Sequence, residues 1–304
     1  MTATIPVAVP RKGRPLEAVL DRLAARMDAT AVADEICSTL RYEKAITKGR
    51  KTAEKNVYDR LAEYSDLSDP ARPEFTLLRD DRDGKPRRVV FDSLTLERDD
   101  LCLQLIGREE PFRALRTHEF ALGFDSADLV LEEVVSLEPE PLSTIADINE
   151  RIDPRDTDVR VVTGLGDTVY HTLLGRSDVI AADDAEPTPS REFLTDYEGP
   201  VCISPRYERL VRAVLGTDTT DGIDFRYPGS GREEEADIAD TGLGVYLTVT
   251  GSTAREHGLE VGERLFPSET VLMENIPEAG TDAVGRAKSL FTDSNIETAL
   301  AVQN

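Results

Sequence analysis

The sequence of 304 residues contains no tryptophan and only three cysteines, and these scarcities limit what the protein can be. Cys37, Cys102 and Cys202 form neither an even disulfide framework nor a C-x-x-C metal motif. All three lie among apolar residues, so we expect them to be buried and reduced. No apolar run is long enough to span a bilayer, and no apolar leader segment opens the chain. We therefore expect a cytoplasmic protein with no membrane partner.

Positive charge is also scarce. The chain has 36 Lys and Arg, most of them Arg, against 59 Asp and Glu, which gives a formal net charge of −23. The acidic residues are spread along the chain, as is typical of proteins from a salt-accumulating, halophilic cytoplasm where salt screens self-repulsion. The same field repels phosphate backbones, so we expect no nucleic-acid partner. Any local cluster of basic residues is therefore a candidate anion site.

The order of the predicted elements indicates the fold class. The hydrophobic fraction of 39% is that of a globular chain, and the length allows one large or two ordinary domains. Short β-branched runs alternate with amphipathic helical segments, which predicts an α/β fold with mixed, largely parallel sheets. The segment 40–98 differs in composition from its flanks and is predicted to be an inserted helix–hairpin segment, with a turn at Asp83-Gly84. Its basic helix either reaches the mouth of an active site or forms a solvated face.

The stretch Val245–Leu259 carries the first candidate site. The apolar, β-branched run Val245–Val249 predicts a buried strand. It ends at Thr250-Gly251-Ser252-Thr253, and a short helical turn follows, closed by Gly258. A strand that leads through hydroxyls and glycine into a helix can hold a phosphate, because the backbone approaches closely and N–H groups point at the anion. A plain surface turn is the alternative.

A second candidate anion site lies between a predicted strand, Ile5–Pro10, and a predicted helix that runs from about Leu16 to Met27. Here Arg11, Lys12 and Arg14 surround Gly13 in a chain that is poor in positive charge. The alternative is a solvated basic loop.

Several predictions concern the second half of the chain. We predict a helix from Val169 to Leu174, a strand over Ser177–Ala182 and a terminal helix over Thr281–Leu300. In this interpretation Asp167 and His171 lie one helical turn apart, as an acid/base pair or as a hydrogen bond at a helix start. No two of the three histidines share a metal-ligand spacing, so we predict no metal site built from histidines and assign no catalytic residue.

Segments along the chain resemble, in order, the ATP phosphoribosyltransferases of histidine biosynthesis. A-V-P-R-K-G-R at Ala8–Arg14 resembles the opening A-V-P-K-G-R-L of that family, and Phe120–Glu133 resembles its A-D-L-G-I-V-G-x-D-V-L-x-E segment. Ser204–Tyr207 is similar to its strand-to-helix junction. The closest match is T-G-S-T-A-R-E-H-G-L at Thr250–Leu259, followed by S-E-T-V-L-M-E-N at Ser268–Asn275. The chain is identified as a divergent member of haloarchaeal type.

This resemblance implies a fold of two lobes like a type II periplasmic binding protein, with a ligand cleft between them. We expect a first lobe over 1–135 that includes the insertion, a second lobe over 136–265, and a return to the first lobe over 266–304. The implied reaction joins ATP to phosphoribosyl pyrophosphate, releases pyrophosphate and needs Mg²⁺. We expect a small phosphorylated substrate and a homo-oligomer.

The resemblance also implies which residues bind. The loop of Thr250, Gly251, Ser252 and Thr253 would hold the 5-phosphate of phosphoribosyl pyrophosphate. The basic loop would meet ATP or pyrophosphate, and a further arginine follows a strand where the family has one. These residues are Lys12, Gly13, Arg14 and Arg108.

Two departures from the family pattern keep other functions open. The family's A-D-a-I-V-D before the loop reads T-G-L-G-V-Y at Thr241–Tyr246, so both aspartates are missing in this register. Its S-G-S-x-E reads G-S-G-R-E at Gly229–Glu233. Only about thirty residues follow Asn275, so we expect no regulatory domain there. One alternative is a paralogue that binds a phosphorylated metabolite as a sensor or regulatory subunit. Another is an enzyme of the same fold with a different phosphorylated or carboxylated substrate.

Overall fold

The computed structural model describes residues 4–66, 68–79, 87–136, 145–180, 188–229 and 232–292. Contacts divide the chain into two compact units. Unit 1 comprises Met1–Ser126, Ser143–Asp167 and Glu269–Asn304, and unit 2 comprises Ala127–Leu142 and Thr168–Ser268. These boundaries differ from the predicted lobes. The chain leaves unit 1 earlier than residue 135, and Ser143–Asp167, expected in the second lobe, belongs to unit 1.

The strands of the described residues form one sheet in each unit. The strands of unit 1 are β1 (Thr4–Pro10), β2 (Glu74–Leu78), β3 (Arg88–Arg98), β4 (Leu101–Arg108), β5 (Leu122–Ser126), β6 (Val159–Gly164) and β12 (Thr270–Asn275). The strands of unit 2 are β7 (Val169–Arg176), β8 (Gly199–Ile203), β9 (Ile223–Arg226), β10 (Leu243–Thr248) and β11 (Leu259–Ser268).

Helices lie between these strands, as the alternating sequence pattern predicts. The helices of unit 1 are α1 (Arg14–Arg26), α2 (Thr30–Thr47), α3 (Val57–Tyr64), α4 (Pro111–Arg116), α6 (Ile145–Glu150) and α13 (Asp282–Ser289). The helices of unit 2 are α5 (Ala127–Glu133), α7 (Ser177–Ile180), α8 (Arg191–Thr195), α9 (Glu208–Leu215), α10 (Thr217–Asp221), α11 (Glu234–Thr241) and α12 (Ser252–Glu256). Within the described ranges, no helix has both the length and the apolar composition that crossing a bilayer requires.

The sheet of unit 1 has the strand order β2-β3-β4-β1-β5-β12-β6. β1 lies between β4 and β5 and is parallel to both, and Val7 faces Leu105 on one side and Leu122 on the other. All three side chains are fully buried, as expected for strands covered on both faces. The predicted apolar face of α1 is confirmed, because its buried residues recur at helical spacing. They are Leu16, Val19, Leu20 and Leu23.

The sheet of unit 2 has the order β11-β7-β10-β8-β9. β10 contains most of the predicted strand Val245–Val249 and is antiparallel to β7 and parallel to β8. Leu243 and Val245 are buried in it. The candidate phosphate loop thus follows an inner strand, which fixes the position from which the loop starts.

The α/β class and the mixed sheets are confirmed, but the share of parallel pairing is smaller than predicted. Of the ten strand pairs among the described residues, four are parallel. Three strands account for the six antiparallel pairs, and the first is β3, which pairs in this way with β2 and β4. β12 inserts antiparallel between β5 and β6, and β7 is antiparallel to both β10 and β11.

Two local predictions in unit 2 are wrong. The predicted helix Val169–Leu174 lies in β7, and the predicted strand at Ser177 begins as helix α7. A short apolar run does not distinguish a strand from a buried helix by its periodicity. Pairing on both edges decides the first case, since β7 bonds to β10 and to β11.

The predicted insertion 40–98 is part of the unit 1 sheet. Its hairpin is confirmed as the antiparallel pair β2–β3, and β3 continues the sheet by pairing with β4. The helical part is interrupted between α2 and α3. The predicted Asp83-Gly84 turn, residues Ser230 and Gly231, and the last part of the predicted terminal helix lie outside the described residues. The three cysteines are free and buried, as predicted.

Candidate functional site

The loop after β10 has the backbone that the sequence predicts. Gly251 has a φ of +70° and precedes Ser252, the first residue of α12. A Cβ atom on Gly251 would lie 2.6 Å from Cγ2 of Val261. Two independent features therefore require glycine at this position: the left-handed backbone conformation and the close approach of Val261 in β11.

The polar groups of this loop are arranged around its exposed side. Ser252 Oγ accepts a hydrogen bond from Thr250 Oγ1 over 3.2 Å, and Arg255 donates to the Thr250 carbonyl over 2.9 Å. Thr250 and Ser252 are exposed, and Thr253 is half-buried. The first N–H groups of a helix have no intrahelical acceptor. The Ser252 N–H already donates to Thr250 Oγ1 over 3.4 Å. The N–H groups that follow it, three hydroxyls and the Arg255 guanidinium form a set of donors suited to a phosphate.

Arg255 is a member of this set that the sequence analysis did not assign. Its sequence signal is its position, one helical turn after Gly251, where a basic side chain can fold back over the loop. The signal alone does not distinguish this role from an ordinary basic residue at a helix end.

Carboxylates lie near Tyr246 of β10, although β10 itself carries none. Burial raises the pKa of Tyr246 well above its ordinary value, and the negative charges of Glu234, Glu235 and Glu233 raise it further. Burial and its acidic neighbours likewise raise the pKa of Glu234. His257 Nε2 lies 3.3 Å from Glu233 Oε2. The acids at the start of α11 thus lie close enough to Tyr246 to affect its pKa, although the sequence pattern before the loop has no aspartate.

The basic loop of unit 1 lies at the carboxyl ends of two parallel strands. β1 and β4 are paired as far as Pro10 and Arg108, so Lys12, Gly13 and Arg108 follow or end neighbouring strands. Ligands of open α/β sheets commonly bind outside such strand ends. Gly13 has a φ of +81°, which allows the sharp entry into α1.

Lys12 and Arg108 are held by different contacts. Lys12 Nζ lies 3.5 Å from Glu109 Oε2. Burial lowers the pKa of Lys12. The positive charges of Arg88 and Arg11 lower this pKa further, whereas the negative charge of Glu109 raises it. The Arg108 guanidinium lies over the Phe120 ring, 4.9 Å from its centre, and its Nε is 3.8 Å from Glu119.

Arg14 is already paired with a carboxylate. Its Nη1 lies 2.5 Å from Asp167 Oδ2 and 2.6 Å from the Asp167 carbonyl oxygen. Asp167 also accepts hydrogen bonds from the backbone N–H and the hydroxyl of Thr270. Arg14 therefore holds the loop after β6, and an anionic ligand would have to compete with Asp167 for it.

His171 does not pair with Asp167. Its Nε2 lies 2.8 Å from Asp128 Oδ2, with both side chains almost fully buried. The ring stacks on Phe266, and the other Asp128 oxygen has no hydrogen-bond partner among the described residues. The predicted Asp167–His171 pair is wrong because β7 is a strand, so the one-turn spacing does not apply.

The two sets of candidate residues belong to different units. Unit 1 contains Lys12, Gly13, Arg14 and Arg108, and unit 2 contains Thr250, Gly251, Ser252 and Thr253. Among the described residues, no group of three or more His, Cys, Asp or Glu is arranged to hold a metal ion.

Among the comparisons with known proteins, a family model matches nearly the whole chain. The family model described as "Halobacterial ATP phosphoribosyltransferase" matches residues 1–302. No curated protein matches.

Among solved structures, the ATP phosphoribosyl transferase (HisG:HisZ) complex from Thermotoga maritima is similar at 16% identity and a TM-score of 0.43, over 94% of each chain. YhfZ from Shigella flexneri is similar at 11% identity and a TM-score of 0.38, over 95% of this chain and 84% of that one. The BvgS periplasmic VFT2 domain from Bordetella pertussis is similar at 13% identity and a TM-score of 0.30, over 62% of this chain and 76% of that one.

Proposed function

The chain belongs to the halobacterial ATP phosphoribosyltransferase family, and from this membership we propose that it condenses ATP with phosphoribosyl pyrophosphate. The products are phosphoribosyl-ATP and pyrophosphate, and the reaction is the first step of histidine biosynthesis. N1 of adenine forms a bond to C1 of the ribose, and the bond from C1 to the pyrophosphate oxygen breaks with its electron pair on pyrophosphate.

The observation that carries the proposal is the Thr250–Thr253 loop. Gly251 adopts a conformation that other residues avoid, at a place where a side chain would collide with Val261. The loop exposes hydroxyls and leads into helical N–H groups, and Arg255 braces it. These are the donors that a 5-phosphate requires.

Electrostatic stabilisation of the leaving group supplies most of the catalysis in this proposal. Displacement of pyrophosphate needs orientation of the two substrates and positive charge near the departing oxygens. That positive charge would come from unit 1, from Lys12 and Arg108. Arg14 would contribute as well if the anionic ligand replaced Asp167 as its ion-pair partner. No covalent nucleophile is required.

In this proposal Mg²⁺ would bind together with the pyrophosphate group of phosphoribosyl pyrophosphate. The ion is commonly held by substrate phosphates and one or two carboxylates, and it keeps several waters. Glu233 and Glu234 are the candidate carboxylates of unit 2, because both lie near enough to Tyr246 to raise its pKa and Glu233 lies 3.3 Å from His257. The same carboxylates would accept hydrogen bonds from the ribose hydroxyls in place of the missing aspartates of β10.

The proposal is tested in about 2 M KCl, a condition suited to the acidic surface. Phosphoribosyl pyrophosphate with Mg²⁺ is titrated by calorimetry, ATP is then added, and formation of phosphoribosyl-ATP is followed by absorbance. We expect binding and turnover. Light scattering in the same buffer tests the expected homo-oligomer.

Loop variants connect this activity to the loop. Thr253→Val removes a hydroxyl of the loop and keeps the shape of the side chain, and we expect weaker binding of phosphoribosyl pyrophosphate. Thr195→Val is the matched control, because the Thr195 hydroxyl donates to the Arg191 carbonyl in α8 and to no other described residue. Binding without turnover would indicate a sensor or a different acceptor, and no binding would mean that the loop holds another group.

A further inference from the structure

Residues 41–66 of unit 1, which include the end of α2 and all of α3, carry a concentration of positive charge. Four of the seven lysines in the whole chain lie between residues 44 and 55. From residue 41 to residue 51 there are five cations, and the one acid in that stretch, Glu43, is buried. All five cations are exposed, and they are called the positive block: Arg41, Lys44, Lys48, Arg50 and Lys51.

The sign of the exposed charge reverses directly after the positive block. From residue 54 to residue 66 four acids are exposed, and they are called the negative block: Glu54, Asp59, Glu63 and Asp66. The two cations of the same stretch already have partners within the chain, because Lys55 pairs with Glu63 and Arg60 pairs with the buried Glu43. One short segment thus presents a positive surface followed by a negative one.

Charges of both blocks lack an opposite charge within their own chain. Lys44 and Lys51 form no ion pair in the described ranges, and Lys51 lies over the Tyr42 ring, 5.2 Å from its centre. Glu54 and Asp59 likewise form no ion pair with a described residue. Opposite charges on a helix surface commonly pair at spacings of three or four residues. Their separation into two blocks therefore favours pairing with groups on another molecule.

A large exposed side chain lies where the two blocks meet in the chain. Tyr58 is 58% exposed and is one of four large apolar or aromatic side chains exposed in the described part of the chain. It shares the outer face of α3 with Asp59, Ala62 and Glu63, which are exposed as well. Tyrosine is enriched at the centres of protein interfaces, whereas charged groups are enriched at their rims. Tyr58 is therefore suited to the centre of a contact.

Internal contacts hold the two helices together. Arg60 and the Tyr64 hydroxyl of α3 both donate hydrogen bonds to the buried Glu43 of α2. The positive block, which follows Glu43, and the negative block on α3 are therefore held in fixed relative positions. A preorganised surface loses less conformational freedom on binding than a flexible one does.

We propose that residues 41–66 bind a second copy of this chain around a two-fold axis. In such an interface the same patch faces itself. The positive block of each copy then lies against the negative block of the other, and the two Tyr58 side chains meet near the axis.

The presence of both signs identifies the occupant. A nucleic acid or an acidic protein would be attracted by the positive block and repelled by the negative block beside it, whereas a rotated copy of the same patch matches both. Ion pairs that become partly buried are screened by salt much less than exposed ones, so the contact is compatible with high salt. The inference does not rest on the proposed function, because no step of it involves a substrate.

Charge reversal followed by light scattering tests the interface. One variant is Lys44→Glu with Lys51→Glu in the positive block, and the other is Asp59→Lys with Glu63→Lys in the negative block. Each places like charges opposite each other, so we expect self-association to weaken by about a hundredfold or more. An equimolar mixture of the two variants should associate again, because the two reversed blocks then face each other with opposite signs.

A control for net charge is required in a chain with a net charge of −23. Arg113→Glu with Arg155→Glu changes the net charge by the same amount as the positive-block variant. Both arginines are exposed residues of unit 1 outside the two blocks, and each pairs with a nearby acid. We expect this control to self-associate as the unmodified protein does.

A cysteine variant tests the position of the axis without a change of charge. Mild oxidation of Tyr58→Cys should give a disulfide-linked dimer, because the two sites meet near the axis and the native cysteines are buried. Tyr227→Cys is the matched control, since Tyr227 is a tyrosine of similar exposure in unit 2. We expect no linked dimer from this control.

Several outcomes would overturn the inference. They are a monomeric unmodified protein, a reversed variant that associates as the unmodified protein does, and a mixture that does not restore association. Loss of association in the positive-block variant alone would assign that block to an acidic partner instead of a second copy. Equal cross-linking of Tyr58→Cys and Tyr227→Cys would contradict the position of the axis.

Discussion

Gly251 and Gly258 lie on either side of α12 with nearly the same backbone conformation, at φ values of +70° and +72°. Their surroundings differ, because a Cβ on Gly251 would meet Val261 at 2.6 Å and one on Gly258 would meet nothing within 4 Å. We expect Gly258→Ala to lower the free energy of unfolding by about 1 kcal/mol, the cost of the left-handed conformation. Gly251→Ala should cost about 2 kcal/mol or more, since a collision is added.

Urea unfolding at fixed KCl measures both variants. Comparing Gly251→Ala with Gly258→Ala separates the cost of backbone strain from the cost of the collision with Val261, because the two glycines have similar φ values and different surroundings. Equal losses would contradict the role given to Val261. The same two variants also serve the activity assay, where Gly251→Ala should weaken phosphoribosyl pyrophosphate binding more than Gly258→Ala does.

The cysteines allow a prediction about pH. Burial, first among the causes, raises the pKa of Cys37 and of Cys202 to about 11 in each case. Only the thiolate reacts with disulfide reagents, so at pH 8 both thiols should react far more slowly than glutathione does. When the protein is unfolded in urea, all three cysteines should react rapidly with the disulfide reagent. A burst of labelling in the folded protein at pH 8 would contradict the assignment.

At the residue scale, the sequence predicted the backbone of the loop and did not indicate the side chains near it. Thr250–Thr253 was predictable because strand, glycine, hydroxyls and helix follow one another along the chain. Arg255 carried only a weak signal. The carboxylates of Glu233 and Glu234 were not predictable as site residues, because they approach Tyr246 only when α11 packs against the sheet of unit 2.

Elements were predicted well where the pattern was long and poorly where it was short. The apolar face of α1 repeats over two turns, and its four buried residues agree with the prediction. β7 is a run of eight residues whose apolar positions suit a helix as well as a strand. Its state is decided by hydrogen bonding to β10 and β11, which come much later in the chain.

The connection between α2 and α3 depends on a buried charge pair. Arg60 donates to both carboxylate oxygens of Glu43 over 2.7 and 2.8 Å, and the Tyr64 hydroxyl donates to the same carboxylate. Both charged side chains are almost fully buried. Arg60→Met leaves Glu43 buried without its partner, so we expect a loss of about 3–5 kcal/mol in the free energy of unfolding.

Two further variants make this measurement specific. Lys55→Met breaks the exposed Lys55–Glu63 pair, and we expect a change of about 1 kcal/mol or less. Replacing both Glu43 and Arg60 by Met should recover much of the loss, because no buried charge then remains. A double variant as unstable as Arg60→Met would mean that packing, rather than the unpaired charge, explains the effect.

For the whole molecule, the order of the chain through the two units was the least predictable feature. Unit 1 is assembled from three separate segments, and the short segment Ser143–Asp167 returns to it before β7 begins. That segment contains β6, whose place in the sheet is set by antiparallel pairing with β12 from the end of the chain. Local composition contains no signal for a partner so distant in sequence.

The net charge of the chain predicts how its stability depends on salt concentration. A charge of −23 opposes the compact state, since many surface acids have no base to pair with. Salt also weakens the exposed ion pairs, but each of these contributes only about 0–1 kcal/mol. Repulsion should therefore dominate, and the free energy of unfolding should rise with KCl and then level off as the Debye length falls to about 3 Å near 1 M.

A neutralised variant distinguishes screening from a general effect of salt on burial. Asp221 and Glu256 lie at the carboxyl ends of α10 and α12, where negative charge is unfavourable. Neither forms an ion pair with a described residue. Asp221→Asn with Glu256→Gln should therefore stabilise the protein at low KCl, and the gain should vanish in molar KCl. A gain that persists at high salt would assign the effect to something other than charge, and stability independent of KCl would contradict a halophilic protein.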